Sequence, residues 1–142
     1  MSVDCADLVL PESDRRELIL WATACVARLL PIFEATAPED TRLATALDGA
    51  HAFSRAELGV GSVPELAFQC HASAREVQDL PATAVARACG HAVAVAHMAG
   101  HSRQIGRYTA KALSADPEAA AAELAWQRQH VPAHFRQYVY GR

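Results

Sequence analysis

The sequence has few of the residues that build sheets and turns. Aromatic residues make up 6% of the 142-residue chain, which contains 7 glycines and 7 prolines. Alanine is abundant instead, with 31 copies. Because alanine is the best helix former, whereas β-branched and aromatic residues favour strands, this composition predicts an all-α fold.

The chain also lacks a strong excess of either charge. It has 13 basic and 16 acidic residues, spread along its length, for a formal net charge of −3. Nucleic-acid-binding proteins concentrate positive charge in a patch or stripe, so this balance predicts no nucleic-acid partner.

Long apolar runs are missing as well. Leu8-Val9-Leu10 is too short for the core of a signal peptide, and no run approaches the roughly 20 residues of a membrane span. We therefore expect no membrane partner, a cytoplasmic location and a flexible N-terminus over residues 1–11.

The four cysteines lack the CxxC spacing of a metal or redox motif. Three of them, Cys25, Cys70 and Cys89, lie among alanines and valines, the usual setting of buried free thiols. Disulfides are rare in a reducing cytoplasm, which fits this interpretation.

Helical periodicity predicts a single domain over residues 12–142, a bundle of five to seven helices. The first helix is expected over about residues 13–30, with a kink or stop at Pro31 and a short turn after it. Further along, Asp116-Pro117-Glu118 predicts a helix start with an aspartate cap and proline at the first helical position.

The central helix is predicted over about residues 82–101. This segment is rich in alanine, and Arg87 is its only formally charged residue. A helix that is apolar on nearly every side is normally buried, so we place it at the centre of the bundle.

Seven histidines are a further feature of the chain. His51, His71 and His91 are 20 residues apart, and each is followed by alanine. In antiparallel helices of about 15 residues joined by turns of about five, this step predicts that the three side chains share one level of the bundle.

A polar seam is predicted along the central helix. His97 and His101 have the i, i+4 spacing that places two side chains on one helix face. Buried polar groups need partners, so we expect the seam to meet a polar wall formed by His71 and Arg75. The helix contributes these residues to the seam: Arg87, His91, His97, Met98 and His101.

Two interpretations of the seam remain open. The histidines are either a hydrogen-bonded core group or solvated edge, or they form a site. As a site, the ligand-binding residues would be His71, Arg75, Arg87, His91 and Met98, and a zinc, copper or iron ion would be held by His91, His97 and His101. The HExxH signature is absent, no carboxylate cluster is present for magnesium, and no residue is assigned a catalytic role.

Several segments together resemble a bacterial family. They are Trp21 to Cys25 leading to Leu30 to Glu34, Cys70 to Arg75, Gly90 to His97, and Trp126-Gln127. In their order and spacing they resemble putative immunity proteins with an immunity protein 5-like domain, over about residues 15–135. The resemblance implies that His71, His91 and His97 match the family's shared core, and that the protein binds and neutralises a toxin.

Two functional hypotheses follow from these observations. The first is a cytoplasmic immunity-type protein that binds a cognate protein toxin, with an exposed apolar or acidic patch and histidines joined by internal hydrogen bonds. The second is a small helical enzyme or ligand- or metal-binding protein, for example from a bacterial biosynthetic cluster, with an open pocket at mid-bundle. The sequence leaves homo-oligomerisation open.

Overall fold

Every regular element in the part of the chain that the computed structural model describes, residues 10–141, is helical. The α-helices are α1 Glu12–Ala27, α2 Leu30–Thr36, α3 Arg42–Ser54, α4 Val63–Glu76, α5 Leu80–Ala94, α6 Ile105–Ala112, α7 Pro117–His130 and α8 Arg136–Tyr140. Short 3₁₀ helices cover Val60–Ser62, Ala99–Gln104 and Ala133–Phe135. The predicted all-α single domain is confirmed, with one α-helix more than the upper limit expected.

The alanine-rich helix α5 lies at the centre, as predicted. It packs against α1, α2, α3, α4 and α6. Ten of its fifteen residues are buried. Alanine and glycine bury little area each, so they stabilise this helix mainly by letting neighbouring backbones approach closely.

The predicted extent of the central helix is wrong at its C-terminal end. The helix ends at Ala94, and Met98 has an extended backbone that starts the 3₁₀ helix Ala99–Gln104. The carbonyl of Ala96, which this early end leaves without a helical partner, accepts a hydrogen bond from Arg15 Nε of α1 at 2.8 Å. An arginine 81 residues away in the sequence thus supplies the hydrogen bond that this carbonyl group would otherwise lack.

The segment after Pro31 also differs from the prediction. We expected a short turn there, but Leu30–Thr36 forms helix α2 with Pro31 in its first turn. Proline is tolerated at that position because the missing N–H would have had no helical partner. This helix accounts for the additional element in the bundle.

The predicted start of α7 is confirmed. Asp116 caps the helix by accepting a hydrogen bond from the backbone N–H of Ala119, and Pro117 follows in the first turn. Asp79 caps α5 in the same way through Ala82.

Three cysteines fall in the described part of the chain, and all are buried free thiols, as expected. Cys70 Sγ and Cys89 Sγ lie 3.5 Å apart between α4 and α5. Cys5 and most of the N-terminus predicted to be flexible lie outside the described residues.

No single helix within residues 10–141 is long and apolar enough to cross a membrane. Only α1 and α2 taken together reach that length and hydropathy, and the pair is bent by 48° at its break.

Helix α7 is attached to the bundle by a buried amide. Gln127 is the one residue of α7 that is fully buried. Its Nε2 donates to Thr109 Oγ1 of α6 at 2.7 Å, and its backbone carbonyl accepts from Trp21 Nε1 of α1 at 2.9 Å. Through its side chain and its backbone carbonyl, this one residue therefore joins three helices.

Replacing Gln127 should weaken this attachment. Gln127→Ala removes the bond to Thr109 and leaves a cavity, so we expect the free energy of unfolding to fall by about 2–3 kcal/mol. The matched variant Gln129→Ala, at an exposed position of the same helix, should change it by less than about 0.5 kcal/mol. Urea unfolding measures both, and equal effects of the two substitutions would contradict the role of Gln127.

Candidate functional site

Four of the histidines meet on one side of α5. The histidine cluster consists of His71 from α4, His91 from α5, His97 from the turn after α5, and His101 from the following 3₁₀ helix. Ring centroids are 5.7 Å apart for His71 and His91, 5.0 Å for His91 and His101, and 5.8 Å for His97 and His101. The polar seam therefore exists, although the i, i+4 helical pairing of His97 and His101 is wrong because α5 ends at Ala94.

His91 and His101 bond to each other. Their Nδ1 atoms lie 2.8 Å apart, so one ring must donate a proton that the other accepts. The two rings thus hold complementary tautomers when neutral. Protonating both would place two N–H donors against each other and break the bond.

His71 is fixed from two sides. Arg87 Nη1 donates to His71 Nδ1 at 2.7 Å, and because a guanidinium only donates, the ring proton of neutral His71 lies on Nε2. A Cβ at Gly90 would meet that Nε2 at 2.6 Å. The imidazole therefore fits only because residue 90 has no side chain.

Aromatic and cationic groups from α6 extend the site. The ring of Tyr108 stacks on His91 with centroids 5.3 Å apart. Lys111 Nζ lies 5.1 Å and the Arg107 guanidinium 5.9 Å from the Tyr108 centroid. These distances are within the range of cation–π attraction, so α6 adds positive charge beside the histidine cluster.

Burial and neighbouring positive charge keep the histidine cluster neutral. Burial above all, together with the charges of His101, His71, Arg87 and Arg107, lowers the pKa of His91 to about 4. The pKa values of His71, His97 and His101 are also lowered, mainly by burial. At neutral pH these rings act as hydrogen-bonding groups rather than as cations.

The histidine cluster opens to the surface at two shallow depressions. His71, His97 and His101 line one of about 170 Å³ together with the exposed ring of Phe68, and His91, Met98 and His101 line another of about 320 Å³. Phe68 and Met98 are 67% and 42% exposed. Apolar side chains thus stand at the rim of the cluster.

A third cleft lies between α5 and α6. It has a volume of about 460 Å³ and shares Arg87 and Tyr108 with the surroundings of the histidine cluster. We call it the Arg87–Lys111 cleft. Its lining consists of Leu80, Thr83, Ala84, Arg87, Tyr108, Lys111 and Ser114.

The metal hypothesis gains no support from the geometry. Among the described residues, no group of three or more histidine, cysteine, aspartate or glutamate side chains is arranged to hold a metal ion. The Nδ1 atoms of His91 and His101 point at each other, which orients them toward a shared proton.

Two sequence-predicted residues lie away from the centre of the cluster. Arg75 is exposed on α4 and affects His71 only through its charge. His51 has a polar neighbour on α1, because its Nε2 lies 3.3 Å from Thr23 Oγ1.

Sequence reasoning missed Phe68, Leu80, Tyr108 and Lys111. A signal for the last two was present in the sequence, because no aspartate or glutamate occurs between Asp79 and Asp116. An acid-free stretch of this length would have indicated a local positive surface on an acidic chain.

A larger cleft, of about 820 Å³, lies elsewhere, beside the loop between α2 and α3. Three of its four charged lining residues are paired with one another. Arg42 binds both Asp40 and Glu76, Ser73 donates to Asp40 at 2.7 Å, and the pKa of Asp40 falls to about 2. The only cation that lines this cleft is thus already engaged by two carboxylates.

Comparison with known proteins identifies the family. The family described as Imm-5 like putative immunity protein matches residues 8–134. The chain belongs to this family. No curated protein and no solved structure matches it. The match covers all four members of the histidine cluster, so the cluster lies within the family domain.

The contact between Gly90 and His71 provides a first test of the site. Gly90→Ala would force the His71 ring to move, so we expect the free energy of unfolding to fall by about 1–2 kcal/mol despite the better helix propensity of alanine. At Gly106 of α6 a Cβ would meet its nearest atom at 3.5 Å, so Gly106→Ala should be neutral or stabilising by up to about 1 kcal/mol.

A double substitution isolates that contact. In a His71→Ala background the obstruction is gone, and Gly90→Ala should stabilise the protein. Urea unfolding of the four variants gives the coupling energy. If Gly90→Ala stabilises the protein equally with and without His71, the His71 ring does not exclude a side chain at position 90.

The lowered histidine pKa values predict a pH dependence of stability. Between pH 6.5 and about 4 the unfolded chain binds protons on histidines that remain neutral in the folded protein, so unfolding takes up protons and stability falls as pH falls. At pH 5, unfolding of the His91→Gln variant should take up about one proton fewer than that of the original protein. Urea unfolding between pH 7 and 4.5 measures this number, and identical slopes would contradict the assignment.

Proposed function

We propose that this protein neutralises a cognate toxin by binding it, without a chemical step of its own. The observation that carries the proposal is the exposure of Phe68 and Met98 at the rim of a histidine cluster in which three of the four rings hydrogen-bond to protein groups. Membership of the immunity family supports the same conclusion.

The size of the Phe68 depression favours contact with a protein side chain over binding of a small substrate. The depression at Phe68 holds about 170 Å³, below the roughly 300–1,000 Å³ of small-molecule sites. A shallow apolar rim suits a partner's protruding side chain better than an enclosed substrate.

Phe68 is the natural anchor of such an interface. An aromatic ring exposed over two thirds of its surface contributes little to folding, yet it gives a large apolar contact when a partner covers it. Its neighbours in the depression, Pro64 and Ala67, extend the apolar surface.

This function is tested by co-expressing the protein with the polypeptides that the genes next to its own gene encode. The protein should restore growth of cells that produce the cognate toxin, and the two should form a stable complex. Phe68→Asp should weaken that complex by about 2 kcal/mol, roughly 30-fold, while changing the free energy of unfolding by less than about 0.5 kcal/mol.

Leu20→Asp serves as the matched control, since Leu20 is 49% exposed on α1 and lines none of the depressions described above. It should leave protection and affinity unchanged. A titration distinguishes binding from catalysis: binding requires one equivalent of protein per toxin, whereas complete inactivation by far less than one equivalent, or no protection by the original protein, would overturn the proposal.

A further inference from the structure

We propose that the partner presents an acidic segment with a flanking apolar side chain to the Arg87–Lys111 cleft. This inference rests on the proposed function and specifies the chemistry of the partner. It concerns a cleft next to the histidine cluster rather than the cluster itself.

The even spread of charge inferred from the overall counts does not hold for every part of the chain. The segment 80–115 contains Arg87, Arg103, Arg107 and Lys111 and no acidic residue, giving it a formal charge of +4. Because the whole chain carries −3, the remainder carries −7. A protein that is acidic overall thus has an acid-free basic stretch that builds α5, the 3₁₀ helix and α6.

Among the described residues, the cations around the cleft lack carboxylate partners. Within residues 10–141, each ion pair uses a basic residue from outside the segment: Arg16, Arg28, Arg42, Arg55 or His134. Arg87 bonds to the neutral ring of His71, and Arg107 and Lys111 contact the face of Tyr108. No carboxylate in residues 10–141 therefore pairs with their positive charge.

The cleft combines this charge with apolar surface. Leu80 at its edge is 81% exposed, and Ala84 contributes further apolar lining. The hydroxyl groups of Tyr108 and Ser114 can donate hydrogen bonds to carboxylate oxygens. The cleft is therefore complementary to a carboxylate next to a leucine-like side chain.

The cleft and the Phe68 depression are connected through His71. His71 lines the depression and bonds to Arg87, which lines the cleft. A partner seated on Phe68 therefore lies next to the unpaired cations. Charge complementarity of this kind accelerates encounter and fixes the orientation of a complex.

An acidic polypeptide is favoured over a nucleic acid. The −7 carried by the remainder of the chain would repel a long polyanion. A short acidic segment of a protein engages the basic stretch alone and avoids that repulsion.

Fluorescence anisotropy with defined probes tests the inference. The probes are labelled peptides of three Glu-Leu-Asp-Gly repeats, the neutral counterpart with three Gln-Leu-Asn-Gly repeats, and a single-stranded oligonucleotide of similar length. At about 50 mM salt the acidic peptide should bind at least about tenfold more tightly than the neutral one, and raising the salt to about 300 mM should weaken it.

Matched variants locate the binding site. Lys111→Glu should weaken binding of the acidic peptide by at least about fivefold, whereas Lys111→Arg should retain it. Arg55→Glu makes the same change of charge at the end of α3, outside the basic stretch, and should have an effect of less than about twofold. Equal binding of the acidic and neutral peptides, tighter binding of the oligonucleotide, or no binding of the acidic peptide would overturn the inference.

The co-expression assay separates this inference from the proposed function. If the original protein protects cells and Lys111→Glu protects equally well, the cleft is not used and the immunity function stands. If the original protein gives no protection while the acidic peptide binds in a Lys111-dependent manner, the immunity function fails and the cleft's preference for acidic peptides stands.

Discussion

Where α4 crosses α5, the imidazole of His71 occupies the space that a Cβ of residue 90 would require. This contact places His71 within reach of Arg87 and beside His91. From His91 the contacts continue to His101 and Tyr108. The site therefore depends on a close approach of two helices, which a side chain at position 90 would prevent. The small residues of α5 thus determine where the polar groups meet as well as how the core packs.

The sequence was sufficient to predict the fold class and the buried central helix, because alanine content and apolar patterning are local properties. It was also sufficient to predict that His71 lies against the polar seam of α5, since buried polar groups need polar partners. It could not predict the end of α5 at Ala94, because the freed carbonyl of Ala96 is satisfied by Arg15 of α1. Nor could the 20-residue spacing of the histidines show that His51 would lie within hydrogen-bonding distance of Thr23.

The same central helix serves the core and the site. Its buried side packs alanines and valines, whereas Arg87 and His91 face the polar groups of α4 and α6. Keeping the histidines neutral lets them share hydrogen bonds, and it leaves arginine and lysine as the charged groups of this surface. An interface built in this way combines a rigid polar interior with an apolar and cationic rim. These are the properties expected of a surface that recognises a protein rather than transforms a substrate.

The turn and 3₁₀ helix between α5 and α6 are held by hydrogen bonds to α1 and to α8. Arg15 of α1 bonds to Ala96 at the start of this segment, and Arg103 near its end donates to the carbonyl of Tyr138 in α8 at 2.8 Å. His97 and His101 lie between these two anchors. During synthesis the second anchor is available only after Tyr138 has emerged from the ribosome. The proposed recognition surface is thus completed only after the α7 and α8 segments have been made.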